Sequence, residues 1–486
     1  MTALSEDHFE NILSIQNKCT RLNLNENIYG TFAEIGAGQE TVRHFFRAGN
    51  PKGTIAKTLS AYDKDFSDAI YGLDPQNRYV TVERLKKMID YEAELIEERL
   101  SRKKYPDKLF FSYANTVATI DWAKKYKGHG WLGIKFQREP KQEYSEIILH
   151  VQFHENNASQ QQISLGIMGV NLIYAAFYQS DDPRVLIEKL YDHLSKDKIE
   201  IDSINFRGPV FKDVDNRLMS LELVKEGITE AVMFSPEGNN ILPANVLYKK
   251  NILTLRGSFR PVTNLNLNMF MNSRKLFLEQ ENVDPDKTVI IFEMTLNNLK
   301  SEGEDNGDGI NEKDFLDRAD LLCASGQTVM ISNFQEYYKV VEYFAMHTKK
   351  ELGLVMGVDN LVDIFNERYY RHLSGGILEA FGKMFFKSLK VYLYPIKDEE
   401  TGEIINSKNL KVHPRVKELY KFFVDNGKVI DIEDYKEEYL DIHPRKVYNM
   451  ILEGDEEWEN LVPGLTAKMI KEKNMFRKEK ASQSQD

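Results

Sequence analysis

Between residues 199 and 395 seven short apolar runs recur, at 199–206, 229–234, 252–255, 288–295, 327–332, 352–357 and 390–395, with amphipathic helical patterns between most of them. That rhythm constrains the chain more than any other feature. Several runs are continuously apolar, as strands are when helices cover both faces of a parallel sheet. The alternation therefore predicts an α/β domain of (β/α) type over 156–396. A closed, barrel-like sheet is the first architecture it suggests, because the strand count is near eight, and an open doubly wound parallel sheet is the second.

The flanks read differently. Residues 1–155 form an α+β region. A helix is expected over 5–20, and a longer one over 82–100 with Thr81 as its N-cap, because Val82, Leu85, Met88, Ile89 and Ile96 fall on one face. The runs 131–137 and 146–153 alternate apolar and polar residues and predict an antiparallel hairpin. Residues 397–486 read as a helical appendix: His413-Pro414 opens a helix that closes before Gly427, and the charged tail frays.

The charge balance, 64 Lys+Arg against 75 Asp+Glu for a net −11, argues against general nucleic-acid binding, which needs a basic face. The two cysteines in 486 residues cannot build a disulfide framework and fit a reducing compartment. The most apolar segment, 163–178, is too short to cross a bilayer and carries Ser164 and Asn171, so it predicts a buried helix. A cytoplasmic protein with no membrane partner is expected.

Five groups of residues could carry chemistry. Gly36 and Gly38 follow an apolar run and precede a helix, the pattern that brings backbone N–H groups to a nucleotide or phosphate. With Glu34 in front, the segment also resembles the E-x-G-x-G element of S-adenosylmethionine-dependent methyltransferases. The acidic segment 301–322 looks like a calcium loop one residue out of register, and an exposed turn capping the next helix is the simpler reading. His129 stands between two glycines, and His150 and His154 share a face of the following strand. No third ligand is evident, so no metal site is assigned.

The fourth group follows from architecture alone. In (β/α) folds the reacting groups lie at the carboxyl ends of the strands. That edge offers Arg207, Arg256 and Arg260 with Asn333 for an anionic substrate, and Glu237, Glu293 and Asp359 as acid or base, with His129 a further catalytic candidate. Fifth, Gly375 and Gly376 open a helix beside Arg371 and His372 and could cradle an anion.

The segments YGTFAEIGAGQETVRHFFRAG, KTLSAYDKDFSDAIYG, LRGSFRPVTNLN and YYRHLSGGILEAFGKMFF together resemble a bacterial cytosolic family of about this length. Its members are sometimes labelled nicotinate-nucleotide adenylyltransferase. The resemblance implies a transferase acting on a nucleotide-like substrate. The H-x-G-H element of such enzymes has no counterpart here, so no catalytic residue is carried over from it.

The expectation is an enzyme of small-molecule metabolism acting on a phosphorylated or nucleotide-like substrate, forming a homo-oligomer, with no cofactor assigned. A non-catalytic self-assembling scaffold and a methyltransferase are the alternatives.

Overall fold

The computed structural model describes residues 12–74, 78–300, 309–385 and 388–476. The chain folds as two compact units, Met1–Thr229 and Glu230–Asp486. The expected first turns of the 5–20 helix, the acidic segment 301–308 and the tail beyond 476 lie outside the described residues.

The first unit is built on strands β1 (Ile28–Gly36), β2 (Ile55–Leu59), β3 (Leu109–Ala118), β4 (His129–Phe136), β5 (Ser145–Phe153) and β6 (Ile199–Arg207). Their order in the sheet is β2-β1-β3-β4-β5-β6. β1 is parallel to both β2 and β3, whereas β3 through β6 are antiparallel. Helices α1 (Ile15–Asn23), α2 (Thr41–Ala48), α5 (Ala158–Tyr178), α6 (Pro183–Lys189) and α7 (Asn216–Lys225) share one continuous core with the sheet. The short α3 (Lys64–Tyr71) leads to α4 (Val82–Arg99), which covers the opposite face, and Thr81 caps α4 as its sequence predicts.

α5 is the apolar segment of the sequence. Its polar residues are satisfied inside the protein: Asn171 accepts from Lys18 Nζ at 2.8 Å and donates to the Leu190 and Asp192 carbonyls, and the Ser164 hydroxyl donates to Glu155. No helix among the described residues is long and apolar enough to cross a membrane.

β6 belongs to this antiparallel sheet and not to the (β/α) domain, so the sequence boundary after residue 155 and the unit boundary after Thr229 differ. The reason is physical. β6 alternates Ile199, Glu200, Ile201, the pattern of a strand with one wetted face, and α5 supplies the apolar cover that β1, β3, β4 and β5 require.

The second unit contains β7 (Ala231–Phe234), β8 (Asn240–Ile241), β9 (Asn251–Arg256), β10 (Thr288–Thr295), β11 (Thr328–Ser332), β12 (Leu352–Gly357) and β13 (Leu389–Tyr394). After a small ribbon of β14 (Ile396–Lys397) and β15 (Ile404–Ile405), β16 (Val429–Asp431) completes the sheet. The order is β16-β13-β12-β9-β10-β11-β7-β8, parallel from β16 to β11 and antiparallel at β7 and β8. The sheet has two free ends. It is open and doubly wound, and the closed barrel does not form.

Two short helices, α8 (Pro243–Leu247) and α10 (Leu296–Leu299), lie in the connections, and longer helices cover both faces. α9 (Asn264–Leu278) and α11 (Glu312–Ala324) pack on one, where Phe270 meets Phe292 and Phe315 meets Phe234. α12 (Tyr337–His347), α13 (Val358–Ile364), α14 (Gly376–Phe385) and α15 (Lys417–Asp425) share the other core. The appendix is partly helical: α16 (Pro444–Glu453) and α17 (Gly464–Lys473) enclose Trp458 and Ile470, while β16 extends the sheet beside β13.

Candidate functional site

The chain leaves β9 in one direction, to β10 and β11, and then returns to β12 on the other side of β9. Successive connections therefore diverge between β9 and β12, and the carboxyl ends of those two strands are the position at which open α/β sheets bind their ligands. Arg256-Gly257-Ser258 leave β9 there, and Gly357 with Asp359 leave β12. A Cβ placed on Gly357 would meet nothing within 4 Å. Asp359 is exposed in the first turn of α13.

Directly opposed residues on neighbouring strands share a face, so the Glu293↔Arg256 pairing puts both side chains on the α12 side of the sheet. Arg256 Nε and Nη2 each donate to Glu293 at 2.9 Å, a bidentate fork. The Ser332 hydroxyl donates to the same carboxylate at 2.6 Å, Arg256 Nη1 donates to the Gln335 carbonyl, and the Tyr337 ring lies 4.3 Å from the guanidinium carbon. Glu293 is fully buried. Burial opposes the Arg256 charge, but the Glu293 carboxylate outweighs it and holds that pKa above its ordinary value. Tyr337 is pushed up to about 12 by burial.

Arg260 is likewise engaged. Its Nε donates to Asp314 at 2.6 Å and its Nη2 to the Tyr448 hydroxyl at 2.8 Å, which ties the loop after β9 to α11 and α16. Two of the three arginines that the sequence offers for an anion, Arg256 and Arg260, are thus engaged by the protein itself, and Glu293 is an ion-pair partner.

The remaining candidates fall in different places. Glu237 lies in the β7–β8 turn, and because β7 runs antiparallel to β11 that turn is at the amino-terminal edge of the parallel strands, away from the carboxyl ends of β9 and β12. A hydrogen bond from Ser235 holds its carboxyl below the usual range. Asn333 follows β11, exposed, with its N–H bound to the Glu230 carbonyl. Gly376 has a φ of 57° and opens α14, but the Gly375 N–H is already taken by the Glu379 carboxylate at 2.9 Å.

Arg207, Gly36, Gly38 and His129 belong to the first unit. There Glu34, at the end of β1, turns inward and caps α2. It accepts the Thr41 N–H at 3.1 Å, the Val42 N–H at 3.4 Å and Asn115 Nδ2 at 3.2 Å. These donors favour the carboxylate, yet burial outweighs them and raises the Glu34 pKa to about 7. Gly36 adopts a φ of 73°, and the Ala37 N–H donates to the Val117 carbonyl. A Cβ on Gly38 would lie 1.8 Å from Asn115 Oδ1. The two glycines thus let the turn close onto β3, and it is not an open phosphate cradle. Arg207 ends β6 and is exposed.

His150 lies on β5 and His154 just past its end, and they address separate carboxylates: His150 Nδ1 lies 2.6 Å from Asp202 and His154 Nε2 lies 3.0 Å from Glu200. Among the described residues no group of three or more His, Cys, Asp or Glu is placed to hold a metal ion. Sequence reasoning overlooked Tyr337 and Asp202. Tyr337 carries no signal of its own, whereas Asp202 does, as shown below.

The second unit is therefore an open doubly wound α/β fold whose strand order reverses between β9 and β12. No family model matches the sequence, and no curated protein matches it. Among solved structures it is similar to the competence/damage inducible protein CihA from Agrobacterium tumefaciens, at 12% identity and a TM-score of 0.25 over 36% of this chain and 98% of that one. A competence-damaged protein (CinA) superfamily protein from Enterobacter cloacae shows 11% identity and a TM-score of 0.26 over 36% and 98%. The Plasmodium falciparum nicotinic acid mononucleotide adenylyltransferase complexed with APC shows 12% identity and a TM-score of 0.22 over 47% and 97%. At these values the likenesses bring no activity to this chain.

Proposed function

We propose that the chain is a cytoplasmic enzyme of small-molecule metabolism, a transferase that takes a phosphorylated or nucleotide-like substrate in the crevice between β9 and β12. The observation that carries this reading is the reversal of strand order at that point, where open α/β sheets bind their ligands. With Arg256 and Arg260 engaged internally, the substrate's anionic group meets the backbone at Gly357, where there is space. Asp359 at the rim is the acid/base candidate, and the Arg256–Glu293–Ser332 cluster keeps the ends of β9, β10 and β11 in place. The two cysteines, Cys19 and Cys323, are both buried, which accords with a reducing compartment.

A thermal-shift screen with nucleotides and sugar phosphates tests this. One class should stabilise the protein, by about 2.7 kcal/mol at a hundredfold excess over Kd. Gly357→Leu should leave the free protein's unfolding temperature almost unchanged, because φ there is −82° and the space is empty, while abolishing the ligand's effect. An unchanged shift in Gly357→Leu, or no stabilisation by any of these compounds, contradicts the reading.

A further inference from the structure

The first unit holds an arrangement that the crevice does not explain. On β6 the apolar positions run Ile199, Ile201 and then Ile204, Phe206, so the alternation slips by one residue. The β5–β6 ladder slips at the same place: His150 pairs with Ser203 and Val151 with Ile201, leaving Asp202 as the extra residue. In an unbroken strand Asp202 would face away from the side of the sheet that Ser203 and His150 share. The bulge turns its carboxylate back onto that side.

The result is a chain of three groups. Asp202 Oδ1 lies 2.6 Å from His150 Nδ1, and Gln152 Nε2 donates to Asp202 Oδ2 at 2.6 Å. His150 Nε2 lies 3.0 Å from His129 Nδ1, and Trp131 packs against His150. Asp202 and His150 are buried and His129 is half-buried. The proton positions follow from the acceptors. A carboxylate only accepts, so His150 donates from Nδ1, and in its neutral form it keeps a lone pair on Nε2. His129 then donates from Nδ1 and presents an unprotonated Nε2. Burial, reinforced by His150, lowers the His129 pKa to about 4, so the ring is neutral at neutral pH.

We propose that Asp202, His150 and His129 form a proton relay whose outer nitrogen, His129 Nε2, is the general base of a second reactive site, acting on the hydroxyl group of a bound molecule. The balance is simple. Nε2 gains the hydroxyl proton, the Nδ1 proton of His129 passes to His150 Nε2, and the positive charge settles at His150 against Asp202, leaving the electron pair on the hydroxyl oxygen. His129 is the catalytic residue; His150 and Asp202 position and charge-balance it. The site lies at the carboxyl ends of β1 and β3, where His129 pairs with Ala118 and Val117 pairs with Gly36. From those carboxyl ends the chain diverges, β1 leading through α2 to β2 on one side and β3 turning directly into β4 on the other.

The test uses the full chain and diethyl pyrocarbonate, which acylates unprotonated imidazole nitrogen, followed by peptide mass spectrometry and by 15N NMR of the histidine side chains. The wild type should show His129 protonated at Nδ1 and acylated at least about tenfold faster than in Asp202→Asn. Gln152→Ala, which keeps the carboxylate, should retain the fast labelling. A His129 ring protonated at Nε2, or equal labelling rates in wild type and Asp202→Asn, overturns the relay. Should Asp202→Asn unfold, the wild-type tautomer decides alone. His129→Gln should leave nucleotide-induced stabilisation of the protein intact, so the relay and the crevice stand or fall separately.

Discussion

Arg256→Ala should destabilise the second unit by about 3–5 kcal/mol, the cost of leaving a buried carboxylate without its cation. Glu293 is fully buried, and without Arg256 it is left with the hydrogen bond from the Ser332 hydroxyl. The Tyr337 ring, which stacks on the guanidinium, loses its neighbour too. Truncating Glu293 alone should cost a similar amount, because it strands the arginine. The double variant Arg256→Met with Glu293→Leu should recover most of the loss, since it removes both charges and fills the space with apolar atoms. Urea unfolding followed by circular dichroism reads all four proteins. A loss below about 1 kcal/mol in Arg256→Ala would show that the pair behaves as an exposed one. The same experiment separates structure from chemistry at this edge: a residue whose removal unfolds the unit has its role there, ahead of any contact with substrate.

The second large effect is on pH dependence. Burial raises the Glu34 pKa from an ordinary 4.5 to about 7. In the unfolded chain the carboxyl releases its proton near the lower value, and in the fold only near the higher one. Between the two the folded form holds the extra proton, so raising the pH favours unfolding. The contribution of Glu34 is complete below pH 4.5 and is lost as the pH rises through 7, a loss of about 3 kcal/mol at roughly 1.4 kcal/mol per pH unit. Other groups titrate in the same range, so the quantity to measure is the difference in unfolding free energy between wild type and Glu34→Gln across pH 4 to 8. That difference should move against the wild type as the pH rises. A difference that is flat, or that moves in favour of the wild type, would mean that the two N–H donors at the start of α2 and Asn115 on β3 hold Glu34 as a carboxylate at all these pH values.

Much of the fold is legible in the residues. The helix over 82–99 is fixed by its apolar spacing and by Thr81, and the recurrent strands after residue 230 by their apolar runs. The closure of the sheet is not legible, because open and closed arrangements bury the same runs. What separates them is which strand pairs with β9 across long stretches of chain. The boundary between units is equally silent in composition: α5 and β6 look like the start of a (β/α) repeat until β6 is seen paired with β5. At the candidate site the types of residue were readable and their partners were not. Arg256, Glu293 and Arg260 do gather at the carboxyl edge, but they satisfy one another or α11 and α16, and Glu237 is carried to the far edge by the reversed direction of β7. Asp202 is the reverse case, since the slip from Ile201 to Ile204 records the bulge in the sequence itself.

Photoaffinity labelling with an azido-nucleotide, followed by peptide mapping, bears most directly on the crevice between β9 and β12. Label should appear on the segment after β9, around Gly257-Ser258, or after β12, around Gly357–Asp359, and should disappear in Gly357→Leu or with excess unmodified nucleotide. Labelling confined to other segments, or label that survives both controls, would contradict a nucleotide-like substrate bound at the strand-order reversal.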